Sequence, residues 1–313
     1  MNDPVTVSVA VIFYNHQNYI RQNLDSILSQ KTDFKYEIIA YDDASTDETP
    51  VILKQYEEKY PEIIKAVCQT ENQYSKGVLT LMATVKRATG EYIAICEGDD
   101  FWTDEYKLQK QVDYMRAHPE CAMCCHAAKR YSEEKKMFVE GAFGRPKLKN
   151  GMLTAEEIIE GGGGYLATNT ILYKREYDIG RPDYITSASV SDYPLMFYLA
   201  SRGTVYYIDE CMSAYRVDVP GSWSAGMKDI EKKEKHIERV NKMLREADEY
   251  HKQKYHTSFE KRIIKNSFEI AYLRQDWDEM LKRKYSAVFR ETLGESQAKL
   301  RFKMKLRKLL GKK

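Results

Sequence analysis

The chain has 313 residues, 43% hydrophobic and 31% charged, a composition that builds a full apolar core and excludes an intrinsically disordered protein. No apolar run approaches a membrane span, and no basic-then-apolar leader opens the N-terminus. The net charge of +2 hides a split, because residues 226–313 hold 25 Lys and Arg against 14 Asp and Glu.

An acidic body therefore carries a basic tail, which suits an anionic surface; no nucleic-acid partner is expected. Val5 to Phe13 reads as a β-branched first strand, with Tyr14-Asn15-His16 as a polar exit. Asn18 is placed to cap a helix whose Ile20, Leu24, Ile27 and Leu28 share one face. Glu37 to Tyr41 is a second strand, ending in Asp42-Asp43-Ala44-Ser45-Thr46-Asp47. Pro50 belongs in the first turn of the next helix, so Thr46 or Asp47 is its cap. Ile63 to Val67 is a third strand, Asn72 to Gly77 a polar loop, and Val78, Met82 and Val85 one face of a helix. Glu91 to Cys96 is too short a run for a helix. It reads as a buried strand closing on an exposed acidic turn, Glu97-Gly98-Asp99-Asp100.

Strand and helix alternating in this way predict parallel pairing through right-handed crossovers. Neither a G-x-G-x-x-G fingerprint nor a P-loop is present. Beyond Trp102, Thr103 caps a helix marked by Leu108, Val112 and Met115, and Cys121 to Ala128 is a strand. Arg130 to Lys149 reads as a charged loop or surface hairpin. Gly161 to Gly164 carries a large ordering cost and reads as a mobile loop, before a strand from Tyr165 to Tyr173. Ser191-Asp192-Tyr193-Pro194 opens a helix that stops at Gly203, and Val205 to Ile208 is a strand. From about Gly226 the pattern is helical. The six cysteines follow no disulfide spacing. Cys121-x-x-Cys124-Cys125-His126 is half a zinc site without a second pair, so buried thiols and a core histidine are expected.

Acidic residues thus end two strands of one sheet, at Asp42-Asp43 and Asp99-Asp100. Each alone could be a solvated turn. Together they face one crevice, at the sheet edge where α/β proteins bind ligands. With no basic phosphate loop nearby, a divalent cation is the natural partner for a nucleotide phosphate there, and hard carboxylate oxygens suit Mg²⁺ or Mn²⁺.

VSVAVIFYN at the first strand, YDDASTDET after the second and ATGEYIAICEGDDFW at the acidic turn resemble the family-2 glycosyltransferases of GT-A fold. SDYPLMFYLASRG and YRVDVPGSWS extend the likeness, so that it covers roughly residues 5 to 224 in the family's order. Relatives with similar wording are bacterial enzymes that build surface polysaccharides of the cell envelope. The resemblance implies an α/β GT-A fold, a mostly parallel sheet flanked by helices, with a C-terminal helical extension. It implies that Asp43 binds the base of a nucleotide sugar, most often uracil, with Asp42 beside it. Asp99 and Asp100 match the element that holds Mn²⁺ or Mg²⁺ against the donor diphosphate. Asp192 matches the general base, although an acidic residue opening a helix also serves as a cap. The sequence departs from the family at Asp218, where many relatives carry histidine. It also lacks the common Ala-Arg-Asn before the last strand, leaving Lys76 and Lys86 as the nearby cations, with Lys76 the candidate for the nucleotide. Trp102 and Trp223 neighbour these motifs and could stack on a sugar or simply pack.

The expected organisation is a nucleotide-sugar-binding half over residues 1–102, an acceptor-binding half over 103–225 and a basic helical region over 226–313. The implied activity is metal-dependent, inverting transfer from a UDP-linked donor to a hydroxyl of a glycan or lipid-linked glycan. The alternatives are a nucleotidyltransferase or nucleotide-sugar hydrolase, and a catalytically idle module that docks membranes. Residues 299–313 are rich in Lys and Arg and contain no acidic residue, so peripheral contact with an anionic membrane is expected, with the protein cytoplasmic or on the inner face of the cell membrane.

Overall fold

A computed structural model describes residues 4–294 and 296–300. The chain divides into two compact units, one ending at Ala225 and one beginning at Gly226. The first opens with β1 (Val5–Phe13), α1 (Ile20–Leu28), β2 (Lys35–Asp42), α2 (Thr49–Lys59), β3 (Ile64–Cys68), α3 (Thr80–Val85) and β4 (Tyr92–Glu97). β1 pairs in parallel with both β2 and β4, and β2 with β3, as the strand–helix alternation predicts.

The unit continues through β5 (Phe101–Trp102), α4 (Lys107–Ala117), β6 (Cys121–Ser132), β7 (Met137–Phe143), β8 (Gly151–Leu153) and α5 (Ala155–Gly161). β9 (Leu172–Lys174), α6 (Asp183–Thr186), α7 (Asp192–Arg202), β10 (Thr204–Val217) and α8 (Trp223–Gly226) follow. One ten-stranded sheet runs β3-β2-β1-β4-β9-β6-β10-β5, with β7 on β6 and β8 on β10. β9 lies antiparallel between β4 and β6, so three residues join the two halves of the sheet. Apolar residues of β1, β2 and β4 share a core with Leu108, Val112 and Met115 of α4 and with Cys121 and Cys124 of β6. Among the described residues every cysteine is free, and His126 is fully buried with Nδ1 on the Ala127 carbonyl at 2.8 Å.

Several expectations are corrected. Tyr19, not Asn18, occupies the cap position of α1, where the His16 carbonyl accepts the Tyr19 and Ile20 amides, each at 2.9 Å. α4 begins at Lys107, four residues beyond Thr103. α5 has a full capping box, Thr154 with Glu157, which the sequence reading passed over. The strand expected from Tyr165 to Tyr173 is a 3-10 turn at Thr168–Thr170 followed by β9. Leu166, Ile171 and Leu172 are buried there and imitate a strand, yet the polar residues between them are buried too.

The second unit contains α9 (Ile230–Tyr250), α10 (His256–Leu273), α11 (Trp277–Met280) and α12 (Ser286–Leu293). A buried amide pair, Asn266 to Asn241 at 2.7 Å, ties α10 to α9, and Phe268, Met280, Tyr285 and Phe289 form its core. Among the described residues no helix is long and apolar enough to cross a membrane. Most of the basic tail, residues 301–313, lies outside the described residues.

Candidate active site

The C-terminal ends of β1, β2 and β4 meet at one edge of the sheet. The Gly98 amide donates to the Ile12 carbonyl at 3.1 Å. A Cβ at Gly98 would collide with that carbonyl, the Phe13 ring and His16 Nδ1, so only glycine lets the acidic turn lie against the exit of β1. The loops after β1 and β2 are interlaced. Asn15 Oδ1 accepts the Thr46 amide at 2.8 Å, Asp47 Oδ2 the Gln17 amide at 3.1 Å and Thr49 Oγ1 the His16 amide at 2.8 Å. Asp47 also accepts the Thr49 amide at 2.9 Å, but the cap position of α2 is Glu48, without a side-chain capping bond, rather than Thr46 or Asp47. Asn15 and Ala44 hold φ of +56° and +61°. A left-handed non-glycine residue costs roughly 1–2 kcal/mol, and strain held in place this way gathers at functional sites.

Asp42 and Asp43 are both buried beneath this edge. Ser45 donates to Asp42 through its hydroxyl and its amide, yet burial wins and raises the Asp42 carboxyl above its ordinary range. Asp43 accepts the Gln73 amide on Oδ1 at 2.8 Å and the Tyr74 amide on Oδ2 at 3.0 Å. It therefore seats the loop that carries Lys76. Lys76 itself is exposed and paired with Glu71.

The acidic turn is split in two. Asp100 is 1% exposed, and its oxygens accept the Arg216 amide at 2.7 Å and Asn169 Nδ2 at 2.5 Å. Asp99 is half-buried; Arg216 Nε donates to its backbone carbonyl at 2.6 Å. No hydrogen bond from a described residue reaches the Asp99 carboxylate. The expectation of an exposed turn thus holds in part for Asp99 and fails for Asp100. Burial pushes both Asp100 and Glu97 well above the carboxylate range, and the charge of Asp99 raises both further. Asp192 contributes to the same rise at Glu97, so the four carboxylates act on one electrostatic neighbourhood.

Asp192 is the first residue of α7, and Thr168 Oγ1 donates to its Oδ2 at 3.2 Å. Ser191 holds the cap position, and its side chain makes no capping bond. His16 stands between the two acidic loops. Burial lowers its pKa even though Asp99, Asp47 and Asp42 all favour the cation, and its Nδ1 has no hydrogen-bond partner among the described residues.

Residues 8–178 match the family model described as Glycosyl transferase family 2, more than half of the chain. The chain belongs to this family. An uncharacterized protein of Mycobacterium tuberculosis is 34% identical over 72% of this chain, which spans 63% of that protein's length. The Escherichia coli enzyme WfaP, a UDP-Glc:α-D-GlcNAc-diphosphoundecaprenol β-1,3-glucosyltransferase by name, is 31% identical over 45% of this chain and 51% of its own. The mannosyltransferase PcManGT of Pyrobaculum calidifontis, solved with GDP-Man and Mn²⁺, shares the fold with a TM-score of 0.56 at 18% identity. That alignment covers all of this chain and 89% of the neighbour.

Within the family frame, two aromatic expectations separate. Trp102 is buried, donates to the Asn169 carbonyl at 3.1 Å and lies under the Lys107 ammonium, 4.1 Å from its ring. It packs. Trp223 is 53% exposed. Asp218, at φ +63°, accepts Ser132 Oγ at 3.0 Å. The sequence reading gave no role to Arg216, Asn23 or Asn169. Arg216 also bonds Glu133 and Gln22, each at 2.6 Å, inside a ring of Tyr19, Phe101 and Tyr131. Asn23 donates to the Glu97 and Asp100 carbonyls at 2.9 and 3.0 Å. Its signal was available: a polar residue on the face of α1 that carries Ile20, Leu24 and Ile27.

Proposed function

We propose that this protein is a metal-dependent, inverting glycosyltransferase that moves a sugar from a nucleotide-diphosphate donor, UDP-linked, to a hydroxyl of a glycan or lipid-linked glycan. The observation that carries the reading is the convergence of Glu97, Asp99, Asp100 and Asp192, of which Asp99 and Glu97 carry carboxylates that no hydrogen bond from a described residue reaches. Such a cluster costs stability unless a cation relieves it.

Mn²⁺ or Mg²⁺ fits these residues. Among the described residues no group of three or more His, Cys, Asp or Glu is placed to hold an ion by itself, and the donors that are present are hard carboxylate oxygens. That suits an ion which keeps waters and takes its remaining oxygens from a diphosphate. In this reading Asp99 would hold the ion, while Asp100, engaged on both oxygens, shapes the turn. The ion, when bound, neutralises charge on the departing diphosphate. The presence of Mn²⁺ and a sugar nucleotide in PcManGT supports the pairing.

The chain's own residues supply the rest. Asp43 and Asp42 form the floor for the base; each Asp43 oxygen takes one amide and keeps a lone pair for a base N–H. Lys76, on the loop that Asp43 seats, offers its ammonium to the phosphates when it leaves Glu71. Asp192 accepts the acceptor's proton as the hydroxyl attacks, in a single displacement that inverts the anomeric carbon. The name of WfaP supports a lipid-linked acceptor.

The basic residues 299–313 give such an acceptor's enzyme a membrane contact, at about 1 kcal/mol for each Lys or Arg near an anionic leaflet. In this reading the protein works on the cytoplasmic side, held peripherally at the membrane.

A thermal-shift screen of nucleoside diphosphates and sugar nucleotides with Mn²⁺ tests the reading, because a ligand of the folded state raises the melting temperature. UDP with Mn²⁺ should raise it. A screen in which no nucleotide does so contradicts the proposal.

A further inference from the structure

The 3-10 turn Thr168–Thr170 sits between the halves of the site, and its residues are all buried. Two consecutive side chains reach opposite roles. Thr168 Oγ1 donates to Asp192 Oδ2 at 3.2 Å, and Asn169 Nδ2 donates to Asp100 Oδ2 at 2.5 Å. Their Cα atoms are about 3.8 Å apart across one peptide bond, so the turn relates the two carboxylates with almost no slack.

The turn is itself held from every side. Asn169 Nδ2 also donates to the Ala214 carbonyl at 3.1 Å, and Asn169 Oδ1 accepts Ser213 Oγ at 2.8 Å. These opposed partners define which way the amide points. Trp102 Nε1 donates to the Asn169 carbonyl at 3.1 Å, and Gln111 Nε2 to the Thr170 carbonyl at 2.9 Å. Gln111 in turn accepts the buried Lys107 ammonium at 2.7 Å. A fully satisfied polar network in a low-dielectric interior is rigid, and a single broken member leaves its partners unpaired.

We propose that Thr168 and Asn169 are positioning residues that register the proton-accepting carboxylate against the donor-holding turn. Asn169 fixes the carboxylate behind Asp99, and Thr168 fixes Asp192, so one rigid turn sets both. The inference rests on the functional reading given above, and it adds residues that the acidic motifs do not contain.

The test uses full-length protein with three substitutions: Thr168→Val, which keeps shape and removes the hydroxyl, Thr168→Ser, which restores it, and Asn169→Asp, which turns an oxygen toward Asp100. Melting temperature, UDP–Mn²⁺ affinity by calorimetry and turnover with the donor found in the nucleotide screen are measured for each. Thr168→Val should lose roughly tenfold or more in kcat while UDP–Mn²⁺ affinity stays within about twofold, and Thr168→Ser should restore kcat. Asn169→Asp should weaken UDP–Mn²⁺ affinity by about 10–100-fold in folded protein.

Thr168→Val with unchanged kcat, or with affinity falling in step with kcat, overturns the proposal. So does Asn169→Asp that folds and binds UDP–Mn²⁺ as the unaltered protein does. If Asn169→Asp does not fold, the Thr168 pair decides alone. Unaltered protein that neither binds UDP–Mn²⁺ nor turns over any donor overturns the functional reading and this inference with it. Active unaltered protein with indifferent variants overturns the inference alone.

Discussion

Asn169 donates to Asp100 at 2.5 Å from 69 residues along the chain, and this bond separates two carboxylates that the sequence presents as a pair. Asp100 is structural in its contacts, whereas Asp99 is offered to the crevice. Replacing Asp100 with Ala leaves the Arg216 amide and one N–H of the Asn169 side chain unpaired in the interior. The expected cost is about 2–4 kcal/mol, partly offset by removing a charge from beside Asp99 and Glu97. Urea unfolding of Asp100→Ala and Asp99→Asn checks the contrast. Asp99→Asn should match or exceed the parent in stability while losing UDP–Mn²⁺ binding, and equal destabilisation of the two would refute the division of roles.

Asp192→Asn retains shape but cannot take a proton near neutral pH. Turnover should fall by roughly two to four orders of magnitude with donor affinity nearly unchanged. Loss of donor affinity in proportion to turnover would instead mark Asp192 as a structural residue of α7.

Lys107 is fully buried, and burial lowers its pKa from 10.5 to about 7. The unfolded chain therefore binds the Lys107 proton more tightly than the folded one. Its penalty on stability is complete below about pH 7 and fades as pH rises toward 10.5, where the unfolded lysine also loses its proton. Relative to Lys107→Met, the parent should gain roughly 3–5 kcal/mol between those limits. A difference between the two proteins that is flat across that range contradicts the assignment.

The sheet of β1 to β4 was legible because its strands are short apolar runs and its helices carry one apolar face each. The acidic ends were legible for the same reason, since charge that interrupts an apolar run marks the edge of the sheet. The turn at Thr168–Thr170 was not. Its polar side chains sit among Leu166, Ile171 and Leu172, and its hydrogen bonds go to residues of β5, α4 and β10 that no local pattern connects to it. Arg216 was hidden likewise, because its partners Gln22, Glu133 and Asp99 are distant in the chain. Helix starts failed where backbone carbonyls, as at His16, did the work expected of a polar side chain.

Truncation at residue 298 tests the membrane contact. The full chain should sediment with liposomes containing anionic lipid at low salt and release at high salt, as screening requires. The truncated chain should remain in solution. Equal binding by both, or binding indifferent to lipid charge, contradicts it.

Product analysis tests the central claim most directly. With Mn²⁺, a sugar nucleotide that the protein binds and a glycan acceptor, the account predicts release of nucleoside diphosphate together with a glycoside of inverted anomeric configuration, abolished by EDTA and by Asp99→Asn. Release of pyrophosphate, retention of configuration, or transfer undiminished by EDTA would contradict it.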